Sequence, residues 1–316
     1  MVVQLNTVDR VEILTLQDNT IDMITSDNSE IIARARPIDQ NFNLKGPVLA
    51  EHGFSSRVSV TKGDITRHML FDFGNSSFGA AYNADLLDVD LQSVELLALS
   101  HGHFDHVGGL TELMKRTGRK SLDLVMHPAA LREGRGKRIN DRITVRTQGL
   151  SRVKLAEIGV NPVETKDPML LLDGDVLFLG EIPRHNDFEK AETGRVYHDN
   201  GKDLPDTLPD DTSIVFNVRD RGLVLLSGCA HAGIVNSLSR AVAVTGISRI
   251  MTVMGGFHLS GREELISPTI EALKGFQPDY IVPTHCTGRT AINQIEAEMG
   301  DQFLLNMSGT TLSFTS

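Results

Sequence analysis

Only two cysteines, Cys229 and Cys286, occur in 316 residues. That excludes a disulfide framework and makes a cytoplasmic location the expectation. No apolar stretch approaches the length of a membrane span. The start, Met1-Val2-Val3-Gln4-Leu5-Asn6, lacks a basic segment followed by an apolar one, so no secretory signal is expected. An excess of positive charge is missing as well. The net charge is −10 and the sequence pI about 5.5, so neither nucleic acid nor an anionic membrane is expected as a partner. Internal repeats and low-complexity tracts are also absent. What is present is an ordinary globular composition, 40% hydrophobic and 23% charged, in a chain long enough for a sizeable core. The expected partner is a small-molecule substrate, and association between copies of the chain is left open.

Apolar runs and turn residues predict a mixed order of strands and helices. Short strands are expected at Val11–Leu16, Val48–Ala50, Arg57–Val60 and His68–Phe73, with a buried strand at Val94–Leu99 and another at Leu124–His127. A helix is expected from Gly108 to Arg116. Asp173-Gly174 joins two strands as a hairpin, and Arg219–Gly222 joins Ser213–Val218 to Leu223–Leu226. Helices then alternate with strands: Ser237–Val244, Ile250–Val253, Glu263–Leu273, Tyr280–Val282, Arg289–Met299, Thr310–Phe314. The pattern suggests layered sheets covered by helices. Two polar segments depart from it. Arg132–Arg146 carries six arginines and lysines and reads as a solvated loop, with a phosphate-attracting flap as the functional alternative. Arg184–Asp211 is long and polar and reads as a structureless, lid-like insertion near residues 184–211.

Ser100-His101-Gly102-His103-Phe104-Asp105-His106 is the most informative stretch. Three imidazoles and a carboxylate within six positions are what a borderline-soft divalent ion binds, zinc first of all. On an extended segment His101 and His103 point to the same side, and Asp105 and His106 follow on the turn. Three further strands end in a histidine among small residues: Gly228-Cys229-Ala230-His231, Gly255-Gly256-Phe257-His258 and Thr284-His285-Cys286. Ligand sites in α/β proteins gather at the carboxyl ends of strands, so four strand ends are expected to converge. His52 reads equally as pocket lining and as a structural residue. His185 reads as a surface residue, with a ligand in a closed lid as the alternative. His68, His127 and His198 read as structural or exposed.

Ser-His-Gly-His-Phe-Asp-His-Val-Gly-Gly at 100–109 resembles the signature of the metallo-β-lactamase superfamily. Phe71-Asp72-Phe73-Gly74 resembles its first motif and Pro283-Thr284-His285 its last histidine motif. Within the superfamily the chain is similar to the branch of 7,8-dihydropterin-6-yl-methyl-4-(β-D-ribofuranosyl)aminobenzene 5′-phosphate synthases. That likeness rests on Asp18-Asn19, Ala50–Ser55, Gly180–Arg184, Asp211-Thr212-Ser213, Gly228–Asn236, Gly255–Leu259 and Pro283–Gly288. The resemblance implies one domain over residues 1–316, an α/β fold of α+β type arranged as a four-layer αββα sandwich. It also implies a binuclear centre, with His101, His103 and His231 on one ion and Asp105, His106 and His285 on the other. Asp72 steadies the ligands from behind. Most members carry an Asp at the strand end where this chain has Gly228-Cys229. Either Cys229 binds as a thiolate, or water alone bridges the metals, or one site is weak.

Zinc chemistry of this kind rests on a metal-activated water. Asp105 is expected to orient it, and His258 to act as proton donor or oxyanion stabiliser, with His52, Arg262 and Arg289 toward the substrate. The same apparatus serves hydrolysis or a condensation that expels diphosphate, on a small anionic or phosphorylated, pterin-like or ester substrate. Two zinc ions are expected, with manganese or iron as alternatives. Other classes are a mononuclear iron dioxygenase and a non-catalytic small-ligand-binding protein that keeps the site.

Overall fold

The computed structural model describes residues 2–316. Two large sheets face each other. One has eight strands in the order Val160–Glu164, Leu122–Met126, Val94–Ala98, Ile65–Phe73, Ser55–Lys62, Arg10–Gln17, Thr311–Thr315 and Ile32–Ala33. The other runs Met169–Leu171, Val176–Phe178, Ser213–Val218, Gly222–Ser227, Ile250–Gly256 and Tyr280–Thr284, with Thr7–Val8 beside Ser213–Val218.

Two-residue periodicity explains the layering. In Gly222–Ser227, Val224 and Leu226 pack between the sheets with Val11, Ile13, Phe71 and Phe216. Leu223 and Leu225 point the other way, onto Leu238, Ile270 and Ile295 of the helices Ile234–Thr245, Ile266–Phe276 and Arg289–Glu298. The eight-stranded sheet is covered likewise by Gly79–Leu86, Leu110–Thr117 and Arg152–Glu157. Leu110, Leu113, Met114 and Thr117 form the buried face of the middle helix, and Gly118 at φ +63° ends it. The result is the expected αββα sandwich. Among the described residues no helix is long and apolar enough to cross a membrane.

Three expectations need correction. Val48–Ala50 is not a strand; the Asn83 side chain takes both backbone groups of Leu49, at 2.9 and 2.8 Å, in place of a neighbouring strand. Arg132–Arg146 is not a loop, and Arg184–Asp211 is not structureless. Together they form a third sheet, ordered Lys202–Pro205, Arg195–Asp199, Gly136–Asn140 and Ile143–Arg146. Its charged strands pair in register, Arg195 opposite Lys137. Arg135 is buried between Asp206, at 2.9 Å, and Asp210, at 2.6 Å. Arg132 pairs with Asp206 and Arg146 with Asp203. The basic residues are thus largely spent on acidic partners across the sheet.

Candidate metal centre

Parallel pairing puts the relevant strand ends on one edge. Ser227 lies opposite Gly255, and Gly256 opposite Thr284. In the facing sheet, Ile65–Phe73 runs parallel to Val94–Ala98, so Asp72 and the histidine loop arrive at the same edge. Non-glycine left-handed backbone gathers there: Asp72, Ala230, His258 and His285 have φ of +58°, +54°, +48° and +49°. Such conformations are held by surrounding structure and cluster at functional sites.

Asp72 is the buried organiser. Its carboxylate accepts from Ser100 N at 2.8 Å and from the Ser100 hydroxyl at 2.7 Å, and it lies 2.6 Å from His106 Nδ1. With its own proton given to Asp72, the Ser100 oxygen accepts from His101 Nδ1 at 2.9 Å. Both imidazoles thereby keep Nδ1 protonated, so that in the neutral form Nε2 is the free nitrogen facing the cavity. A second device supports the loop from the third sheet: Asp210 accepts the Gly102 N–H at 2.9 Å. Asp211 accepts Ala232 N at 2.9 Å, beside His231, and burial pushes its carboxyl up to about 7.

The first donor set is compact. His101 Nε2 is 2.9 Å from His103 Nδ1, and His103 Nδ1 is 3.1 Å from His231 Nε2. Burial holds all three imidazoles far below the ordinary range, His103 at about 3, with Arg195 and Arg135 adding to the effect there. They are neutral at physiological pH, and one ring nitrogen of each turns toward the others. Ligand nitrogens around a tetrahedral zinc stand roughly 3.3 Å apart for bonds of about 2.0–2.1 Å, so this trio fits a divalent ion.

The second set comprises Asp105, His106, Cys229 and His285, whose ligand atoms all lie within 4.8 Å of one another. His285 Nδ1 is 3.0 Å from Asn19 Oδ1, which leaves its buried Nε2 without a hydrogen-bond partner, 3.4 Å from Asp105 Oδ2. A lone pair facing a carboxylate oxygen again asks for a cation. Burial works against ionisation of Asp105, but His106, His285 and His52 hold it well below the usual carboxylate range. Burial also opposes protonation of His106, yet Asp72 and Asp105 push it up to about 9.

Gly228 and Cys229 occupy the strand end where most members of the superfamily carry an Asp. A Cβ on Gly228 would stand 2.1 Å from Ser100 Oγ and 2.6 Å from Asp72 Oδ2, so no side chain fits at that strand end. The donor comes one residue later: Cys229 Sγ is 3.2 Å from His106 Nε2 and also groups with His101 and His231. It therefore sits between the two sets. Burial pushes its thiol well up, a cost that coordination as thiolate would offset.

The site residues expected from sequence divide in space. His101, His103, Asp105, His106, Cys229, His231 and His285 come together with Asp72 behind them. His52 and His258 join them around a cavity of about 300 Å³, also lined by Asn19, Phe104, Arg195, Ser260 and Cys286. His52 Nε2 is 3.2 Å from Asp105 Oδ2. His258 Nε2 is 3.5 Å from Glu192; against its burial, Cys286 and Glu192 push it up to about 9. Arg289 lines a neighbouring groove with Asp18 and Ile292, and Arg262 lies near Glu189, away from the cavity lining. His185 is exposed, and His198 pairs with Asp203 on the third sheet. Glu192, Arg195 and Asp210 carry no local signal in the sequence that would mark them as part of the site.

Known proteins share the family and the fold. The family model described as the metallo-beta-lactamase superfamily matches residues 60–233. The chain is 30% identical over 272 residues to the 7,8-dihydropterin-6-methyl-4-(beta-D-ribofuranosyl)-aminobenzene-5'-phosphate synthase of Methanocaldococcus jannaschii, covering 85% of this chain and 92% of that relative. Among solved structures, a metal-dependent hydrolase of the beta-lactamase superfamily superposes with a TM-score of 0.73 at 21% identity, covering 97% of this chain and all of the other. A diphosphatase from the PhnP family gives 0.50 at 12% identity, over 96% and 98% of the two chains. The chain belongs to the metallo-beta-lactamase superfamily.

Proposed function

We propose that the chain is a metal-dependent enzyme that holds two zinc ions and breaks a bond to a phosphorylated leaving group on a small, pterin-like substrate. The acceptor is an amine, such as the aminobenzene portion named in the relative's product, or water. One observation carries the reading: two donor sets, each short of a cation, meet at a single cavity with Cys229 between them. His101, His103 and His231 would hold one ion; Asp105, His106, His285 and Cys229 the other. Bound there, zinc supplies Lewis-acid polarisation of a phosphoryl or carbonyl oxygen and acidifies coordinated water.

The remaining steps fall to side chains. Asp105 orients the attacking group, assisted by His52 at 3.2 Å. His258, protonated at neutral pH beside Glu192, gives its proton to the departing oxygen or balances its charge. Asp72 keeps the ligand imidazoles in one tautomer. Free thiols at Cys229 and Cys286 suit a reducing, cytoplasmic compartment.

The test uses zinc-loaded protein with a dihydropterin-methyl diphosphate, with and without ribofuranosylaminobenzene 5′-phosphate. Release of diphosphate that requires the arylamine supports transfer, and release without it supports hydrolysis. No release under either condition, at full metal occupancy, overturns the reading.

A further inference from the structure

Arg195 opens the strand Arg195–Asp199 of the third sheet and lines the cavity together with His103, Cys229 and His231. Its Nε donates to Glu192 at 2.6 Å. Its terminal nitrogens have no protein partner among the described residues, unlike those of Arg132, Arg135 and Arg146 on the same sheet. Glu192 also receives Lys137 Nζ at 2.9 Å and faces His258 at 3.5 Å. A single carboxylate thus arranges two permanent cations and one imidazole on one wall, leaving that wall with surplus positive charge. A guanidinium anchored through Nε and open at both terminal nitrogens presents the fork that fits two oxygens of a phosphoryl group. Arg195 shares the cavity lining with His103, Asp105, Cys229, His231 and His285, so a group bound to the fork would hold its linked ester beside the metal donors.

Resting on the phosphorylated-substrate reading above, we infer that Arg195 is the anion subsite of this centre, taking two non-bridging oxygens of a terminal phosphate or diphosphate. Glu192 is the positioning residue that aims it. The third sheet then serves the chemistry as well as the fold. Arg195 pairs with Lys137 across strands, and Asp210 ties the same layer to the histidine loop, so the fork is set at a fixed height above the metal ligands.

The experiment measures binding of inorganic phosphate and of acetate to the zinc-loaded full chain by calorimetry, with bound zinc counted in every sample. Arg195→Ala is expected to weaken phosphate binding tenfold or more with zinc content unchanged, and Arg195→Lys to recover only part of the loss. Arg142→Ala, an equal charge change outside the cavity lining, is expected to bind as wild type. Wild-type affinity in Arg195→Ala would put phosphate on the metals alone and overturn the subsite while leaving the proposed chemistry standing. Arg195-dependent acetate binding as tight as phosphate binding would overturn the phosphoryl assignment. Loss of zinc in Arg195→Ala would make the residue a support of the metal centre and overturn the subsite. A wild-type protein without phosphate affinity would remove the phosphorylated-substrate reading and the subsite together.

Discussion

Adding zinc to metal-free protein at pH 8 should separate the two donor sets by the protons they release. The first set, His101, His103 and His231, is kept neutral by burial, so its ion should enter with no proton released. His106 is different: Asp72 and Asp105 hold it at about 9, and at pH 8 it carries about 0.9 proton. That proton must leave before Nε2 can bind. Cys229 is fully protonated because burial raises its thiol, and it gives up one more if it binds as thiolate. The second ion should therefore release about two protons in the wild type and about one in Cys229→Ser. Below pH 8 the second affinity should fall about a hundredfold per pH unit in the wild type and about tenfold in the variant, one factor of ten per proton. Isothermal calorimetry in buffers of different ionisation enthalpy counts these protons. Release of a proton by the first ion, or an identical count for wild type and Cys229→Ser, would show that the two sets are not charged in this way.

Asp72→Asn removes the charged acceptor of three close contacts and should weaken metal binding about 10–100-fold, read by competition with a chromophoric chelator; unchanged affinity would release Asp72 from that role. Gly228→Ala forces a methyl group against Ser100 and Asp72 and should cost about 1–3 kcal/mol in urea denaturation, whereas an unshifted midpoint would show that the loop yields freely. Arg135→Ala leaves Asp210 without a cationic partner, and Asp206 with Arg132 alone, beside an unfilled space and should destabilise by about 3–5 kcal/mol; a loss below about 1 kcal/mol would mean that water replaces the guanidinium.

Local signals carried most of the centre. Three histidines and a carboxylate in one loop have the composition of a metal site without any knowledge of the fold, and strands that stop in histidines among glycines announce which other side chains converge with them. The sheet layers were legible wherever one face is buried, as in Gly222–Ser227. The third sheet was not, because its strands bury little: Gly136–Asn140 is exposed almost throughout, and Ile139, Ile143 and Val145 are exposed as well, so the pattern of apolar residues does not mark a core face. Glu192 and Arg195 were hidden for the same reason. Their meaning comes from pairing with Lys137 and His258, far away in sequence, and nothing beside them marks it. Cys229 was legible as a neighbour of ligands, but its placement between both donor sets depends on the clash that bars a side chain at Gly228. Val48–Ala50 has strand-like residues, yet Asn83 claims its hydrogen bonds.

Anomalous diffraction at the zinc edge, from a zinc-loaded crystal, locates the ions themselves and so decides whether the two donor sets form a paired centre. Two peaks are expected. One should lie about 2.0–2.1 Å from His101 Nε2, His103 Nδ1 and His231 Nε2. The other should lie at similar distances from the Asp105, His106 and His285 donors, about 2.3 Å from Cys229 Sγ. Full zinc loading with no peak among these side chains would mean that the converging imidazoles do not hold the metal.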